Sequence, residues 1–136
     1  MKESNKELLE EVMDEIKSAL EDPRGISKHQ RRLAFSLSSG SVTLIETYLN
    51  EINILKPGAK INHLWLKKKK ENVLKLLDKH LTSPIKSIEK LNKLLDFAYQ
   101  IENDRNNLAY GNTVPRSILK EKINIFLNLK REVENV

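Results

Sequence analysis

Apolar residues return every three or four positions along almost the whole chain, and the breaks between these runs are few and sharp. That spacing places them on one face of a helix and leaves little room for another fold. Leu8, Leu9, Val12, Met13, Ile16 and Leu20 define a first amphipathic helix, which ends before Pro23 in "EDPRG". A second pattern runs from about Ser27 to Asn53 along Leu33, Leu37, Leu44, Ile45, Tyr48, Leu49 and Ile52, and "KPGAK" then turns the chain. Leu64, Trp65, Val73, Leu74, Leu77 and Leu81 mark a third helix, closed by "LTSPIK" with Ser83 and Pro84 as N-cap and first residue of a fourth. The fourth follows Ile85, Ile88, Leu91, Leu94, Leu95, Ala98, Tyr99 and Ile101 to about Tyr110, where Gly111 stops it. "NTVPRS" leads into a fifth along Ile118, Leu119, Ile123, Phe126, Leu127 and Val133.

Four Gly and four Pro in 136 residues leave few turns. The expected fold is therefore all-α: a single-domain antiparallel bundle of about five helices spanning residues 1–136. A chain of this length buries roughly two thirds of its unfolded surface around one core. No apolar run has the length of a membrane span, so no membrane partner is expected. The start, "MKESNKELLEE", is acidic and helical and reads as mature protein rather than a signal peptide. With no Cys, disulfides and thiolate chemistry are excluded and a cytoplasmic setting is the default. Three scattered His give no metal-ligand spacing, and no cofactor is expected.

The formal charge of +5 is unevenly spread. Residues 1–22 carry three basic and eight acidic groups, whereas residues 23–93 carry fifteen basic and five acidic ones. A basic middle beside an acidic first helix attracts an anionic partner, whether RNA or the acidic surface of a protein.

Four features could serve either chemistry or packing. "SLSSGS" (Ser36 to Ser41) lies inside the second helical pattern; a phosphate cradle needs a loop feeding a helix N-terminus, so close helix packing, within the chain or against a dimer partner, is the preferred role. Lys67, Lys68, Lys69 and Lys70, if helical, fan around most of the circumference as a solvated surface or an electrostatic steering patch for RNA. His29, His63 and His80 fit surface or packing roles near helix ends. The fourth is "DRNNLAYG", Asp104 to Gly111. Arg105, one turn after Ile101, should point into a groove between helices, with Tyr110 on an adjacent face. A guanidinium and a hydroxyl about a turn apart can grip a phosphate together. The alternative pairs Arg105 with Asp104 or Glu102 and leaves Asn106 and Asn107 capping a helix end.

This stretch resembles the signature of the HEPN superfamily (higher eukaryotes and prokaryotes nucleotide-binding domains), helical bundles that carry an Arg, a polar residue and then a His four to six residues after the Arg. Arg105 matches the Arg, Asn106 the polar position, and Leu108-Ala109 the small apolar filler. "SSGSVTLIETYLN" is similar to the family's earlier long helix. The resemblance implies a homodimer with two motifs facing one cleft and, in active members, metal-independent RNA cleavage; many members are toxins partnered by a nucleotidyltransferase-type antitoxin. Where the family has His, this chain has Tyr110. An imidazole exchanges protons near neutral pH, whereas a phenol, with an ordinary pKa of about 10, is a poor base there. The expected function is thus binding of RNA or a nucleotide through Arg105, Asn106, Asn107 and Tyr110, aided by the Lys67–Lys70 run, with catalysis weak or absent. An active ribonuclease using Arg105 and Tyr110 is the first alternative. A protein-protein adaptor with no nucleic-acid role is the second.

Overall fold

The structure is a computed structural model that describes residues 2–68, 70–82 and 89–135, with backbone only at His63, Lys67 and Lys70. It is an all-α bundle, and no strand occurs among the described residues. The α-helices are α1 (Glu3–Glu21), α2 (Gln30–Glu51), α3 (Lys70–Asp78), α4 (Glu89–Glu102), α5 (Arg105–Tyr110) and α6 (Arg116–Glu134). Short 3-10 turns at Ile26–His29 and His63–Lys67 lead toward α2 and α3. No helix among the described residues is long and apolar enough to cross a membrane.

The 22-residue α2 is the axis of the bundle, about 33 Å long, and touches α1, α4, α5 and α6. A helix packed on several sides must bury more than one stripe. Accordingly its buried residues include Leu33, Leu37, Ile45 and Leu49 together with Ser38, Ser41 and Thr43. By contrast α1 buries only Leu9, Val12, Ile16 and Ala19, and most of its acidic residues face solvent.

The small residues of "SLSSGS" serve packing within this chain. A Cβ on Gly40 would lie 2.6 Å from the Phe126 ring of α6 and 3.3 Å from Val12 of α1. Ser41 is fully buried and donates to the carbonyl of Leu37 at 2.7 Å. The helix runs unbroken through the segment, so no loop-to-helix phosphate cradle forms there.

Two boundaries differ from those the periodicity predicts. The fourth helix does not continue to Tyr110: Asn103 and Asp104 form a turn, and α5 starts afresh at Arg105. Lys122 of α6 anchors this break, donating to the Gln100 carbonyl at 2.7 Å and pairing with the Asp104 carboxylate at 2.7 Å. The third helix is likewise divided into the His63–Lys67 turn and α3, with Lys68 extended between them. The lysine run therefore crosses a junction instead of fanning around one helix. Ser83, Pro84, Ile85 and Ile88, read as the start of the fourth helix, lie outside the described residues.

Gly111 ends α5 by close approach and not by a left-handed backbone. Its φ is −93°, and its N–H donates to the Asn107 carbonyl at 2.9 Å. A Cβ there would sit 2.4 Å from that same oxygen. Any larger residue must move backbone.

Candidate functional site

Arg105 is the first residue of α5 and half-buried. Its guanidinium carbon sits 5.0 Å from the centre of the Phe35 ring on α2, within range of a cation–π contact. Nη1 donates to the Asn106 side-chain oxygen at 3.1 Å. Nε is buried and has no hydrogen-bond partner among the described residues. Asp104 pairs with Lys122, and the buried Glu102 accepts from the Ser38 hydroxyl. The alternative in which Asp104 neutralises Arg105 is thus not what the fold adopts.

Arg105 also lines a cavity of about 730 Å3. Its lining includes Ser39, Val42 and Thr43 of α2, Leu8 of α1, and Lys60, Asn62 and Trp65 from the segment between α2 and α3. Three local devices place that wall. The Glu46 carboxylate accepts from the Ile61 N–H at 2.6 Å, fastening the loop after α2 back onto α2. The Asn62 side chain accepts from the Leu64 N–H at 2.9 Å and caps the turn that carries Trp65. An isolated antiparallel bridge, Leu55 to Leu81, holds the end of α3, with Lys56 N–H on the His80 carbonyl at 2.8 Å. His80 consequently stacks on Trp65, ring centres 5.2 Å apart and planes inclined by 18°. His80 lines the same cavity as Arg105. A site of this size, part apolar and part polar, with an aromatic wall and cations at its edge, has the make-up of a small-ligand pocket.

The remaining predicted residues divide. Tyr110, at the far end of α5, is 71% exposed and meets Phe35 edge-on, ring centres 6.0 Å apart. Asn106 and Asn107 are exposed beside Arg105. Lys68 lines a different cavity of about 330 Å3 with Glu71, Asp96 and Tyr99, so it does not join Arg105. Lys69 lies outside the described residues, and Lys67 and Lys70 are described by backbone alone.

Two residues that shape the site escaped the sequence-based expectations. Phe35 bridges Arg105 and Tyr110. Its signal was an aromatic residue two positions off the Leu33–Leu37 core line. Gln30 is buried and holds the α5–α6 loop with three bonds: Nε2 donates to the carbonyls of Leu108 at 3.1 Å and Asn112 at 3.0 Å, and Oε1 accepts from the Val114 N–H at 3.0 Å. His29 is buried at a corner where both ring nitrogens lie 2.8 Å from carboxylate oxygens, of Glu15 and of Asp22. That places it in a packing role. No protein-family model, curated protein or solved structure matches the chain.

Proposed function

We propose that the chain is a HEPN-like helical protein that binds RNA or a nucleotide through Arg105, Asn106 and Tyr110, with weak or absent catalysis. The observation that carries this is the state of Arg105. Its guanidinium is half-buried against Phe35, one buried N–H group is unpartnered, and a cavity opens beside it. A buried donor left unsatisfied costs about 1–3 kcal/mol. A fold keeps such a group where an anion completes it, and a phosphate offers the fork geometry that suits a guanidinium. Weak catalysis follows from Tyr110, because a phenol cannot accept the proton of a ribose hydroxyl efficiently near neutral pH. The resemblance further suggests a homodimer and an antitoxin partner of the nucleotidyltransferase type.

Trp65 is the single Trp of the chain and stands in the cavity wall, so its emission reports occupancy directly. Titration with a mononucleotide should quench it, and Arg105→Ala should weaken binding at least tenfold while the exposed Lys120→Ala changes little. Equal losses in the two variants defeat the proposal. The active-ribonuclease alternative draws on one observation, that His80 lines the same cavity and supplies an imidazole missing from the motif. In EDTA it requires RNA fragments ending in cyclic phosphate, lost in His80→Ala and in Arg105→Ala alike.

A further inference from the structure

A second concavity, of about 400 Å3, lies about two turns back along α2 and is lined by Lys28, Arg31 and Arg32 together with Gly111 and Thr113. Its cations differ in their freedom. Arg32 is held by Glu15, 3.1 Å from Nε, and the neighbouring Asp22 is taken by Arg24 and His29. Lys28 and Arg31 are exposed and form no ion pair among the described residues. Phe35 follows one turn after Arg31 on the same face of α2. It steadies the exposed Tyr110 ring, and Tyr110 immediately precedes Gly111 of the basic concavity.

Along α2, the turn before it and α5 runs an ordered series: the two cations Lys28 and Arg31, an exposed ring braced by a second ring, the guanidinium of Arg105 with its unpartnered Nε, and the large cavity that reaches Thr43. From Arg31 to Thr43 the helix advances about 18 Å. Alternating cations and stacking rings are what a single nucleic-acid strand requires, since phosphates meet the charges and unstacked bases meet the rings.

We propose that this face is a track for a single RNA strand. One phosphate sits at Lys28 and Arg31, one base stacks on Tyr110, and a second phosphate reaches Arg105 at the cavity mouth. The track rests on the Arg105 site proposed above and extends it by two cations and by a stacking role for Tyr110. An acidic peptide would meet the same cations but leave the Tyr110 ring idle. A duplex would offer no free base face to that ring.

The test is fluorescence anisotropy with a labelled single-stranded RNA of about eight nucleotides, its duplex, and a poly-glutamate peptide, on variants shown by circular dichroism to be folded. Lys28→Glu with Arg31→Glu should lower affinity for the single strand at least tenfold and flatten the salt dependence, by a slope of about 0.7 for each phosphate no longer neutralised. Tyr110→Ala should lower affinity about tenfold, and Tyr110→Phe should restore it, because stacking needs the ring and not the hydroxyl. Duplex or poly-glutamate binding as tight as the single strand overturns the proposal. So does wild-type affinity in the Lys28/Arg31 double variant or in Tyr110→Ala. Loss confined to Arg105→Ala, or binding of a mononucleotide but no strand, removes the track and leaves the Arg105 cavity standing. Loss in the Lys28/Arg31 and Tyr110 variants with Arg105→Ala unaffected overturns the track, whose second phosphate is placed at Arg105, and removes the cavity assignment with it.

Discussion

Two charged clusters lie along the first half of α2, and they are built on opposite plans. At the His29 corner both carboxylates meet their complements. Asp22 binds Arg24 and His29, while Glu15 binds His29 and Arg32. At the Arg105 cluster the nearby carboxylate of Asp104 is turned away to Lys122, and the guanidinium is left with an amide, a ring and a cavity. The first plan fastens α1 to α2. The second leaves a cation without a carboxylate partner beside a cavity, which is the arrangement the proposed ligand site requires. Polar groups that serve stability are satisfied internally, and those that serve binding are left open at a concave surface.

Gln30 belongs to the fastened end yet holds the open one, and removing its amide should have the largest effect. Gln30→Met keeps the volume but strips partners from the carbonyls of Leu108 and Asn112 and from the Val114 N–H. We expect a loss of about 3 kcal/mol, from roughly 1 kcal/mol or more per buried group left unsatisfied, or ~10 °C in melting temperature. Affinity for the proposed RNA strand should fall as well, since α5 loses its anchor. A variant that melts like wild type would mean that the loop carries its own support, and the two clusters would then be uncoupled.

Helices α1, α2 and α6 were legible in the sequence because their apolar spacing is continuous and Pro residues bound them. The break before Arg105 was not. Ile101 and Leu108 are seven residues apart, a spacing that two unbroken turns also satisfy, and the interruption is anchored by Lys122 from another helix. The division at the lysine run was hidden for a similar reason, since the buried Leu66 and Val73 are seven residues apart, as two unbroken turns would also place them. At the site, the local spelling around Arg105 marked the guanidinium, but Phe35 and Gln30 act across 70 to 84 residues of sequence. Only the fold brings them there. The cavity wall of Trp65 and His80 depends on a bridge between two loops and has no local signature.

A paired substitution sharpens the contrast between the clusters. His29→Ala removes the imidazole from between two carboxylates that are themselves largely buried, and should cost about 2 kcal/mol without altering RNA affinity. Arg105→Met keeps an apolar stem and a sulfur contact with Phe35 while deleting the unpartnered Nε. Its stability should match wild type or exceed it by up to about 1 kcal/mol, with binding lost. Chemical denaturation measures the first quantity and anisotropy the second. If Arg105→Met destabilises as much as His29→Ala, the guanidinium is a structural group and the contrast fails.

The smallest effect concerns pH. The Asp22 carboxyl is held well below the usual carboxylate range, first by the hydrogen bond from the Arg24 side chain, then by the Arg24 backbone N–H and by His29. A group whose folded pKa is depressed stabilises the fold fully above its unfolded value, near pH 4, and loses that contribution as pH falls through the lower folded value. Asp22→Asn removes the titrating group, so the gap in melting temperature between wild type and variant should be open at about pH 5 and should shrink below about pH 4. A gap that stays open into strong acid would show that the carboxylate charge is not what joins the two helices at this corner. The geometry of the Arg24, His29 and Glu15 contacts would then have to hold them without it.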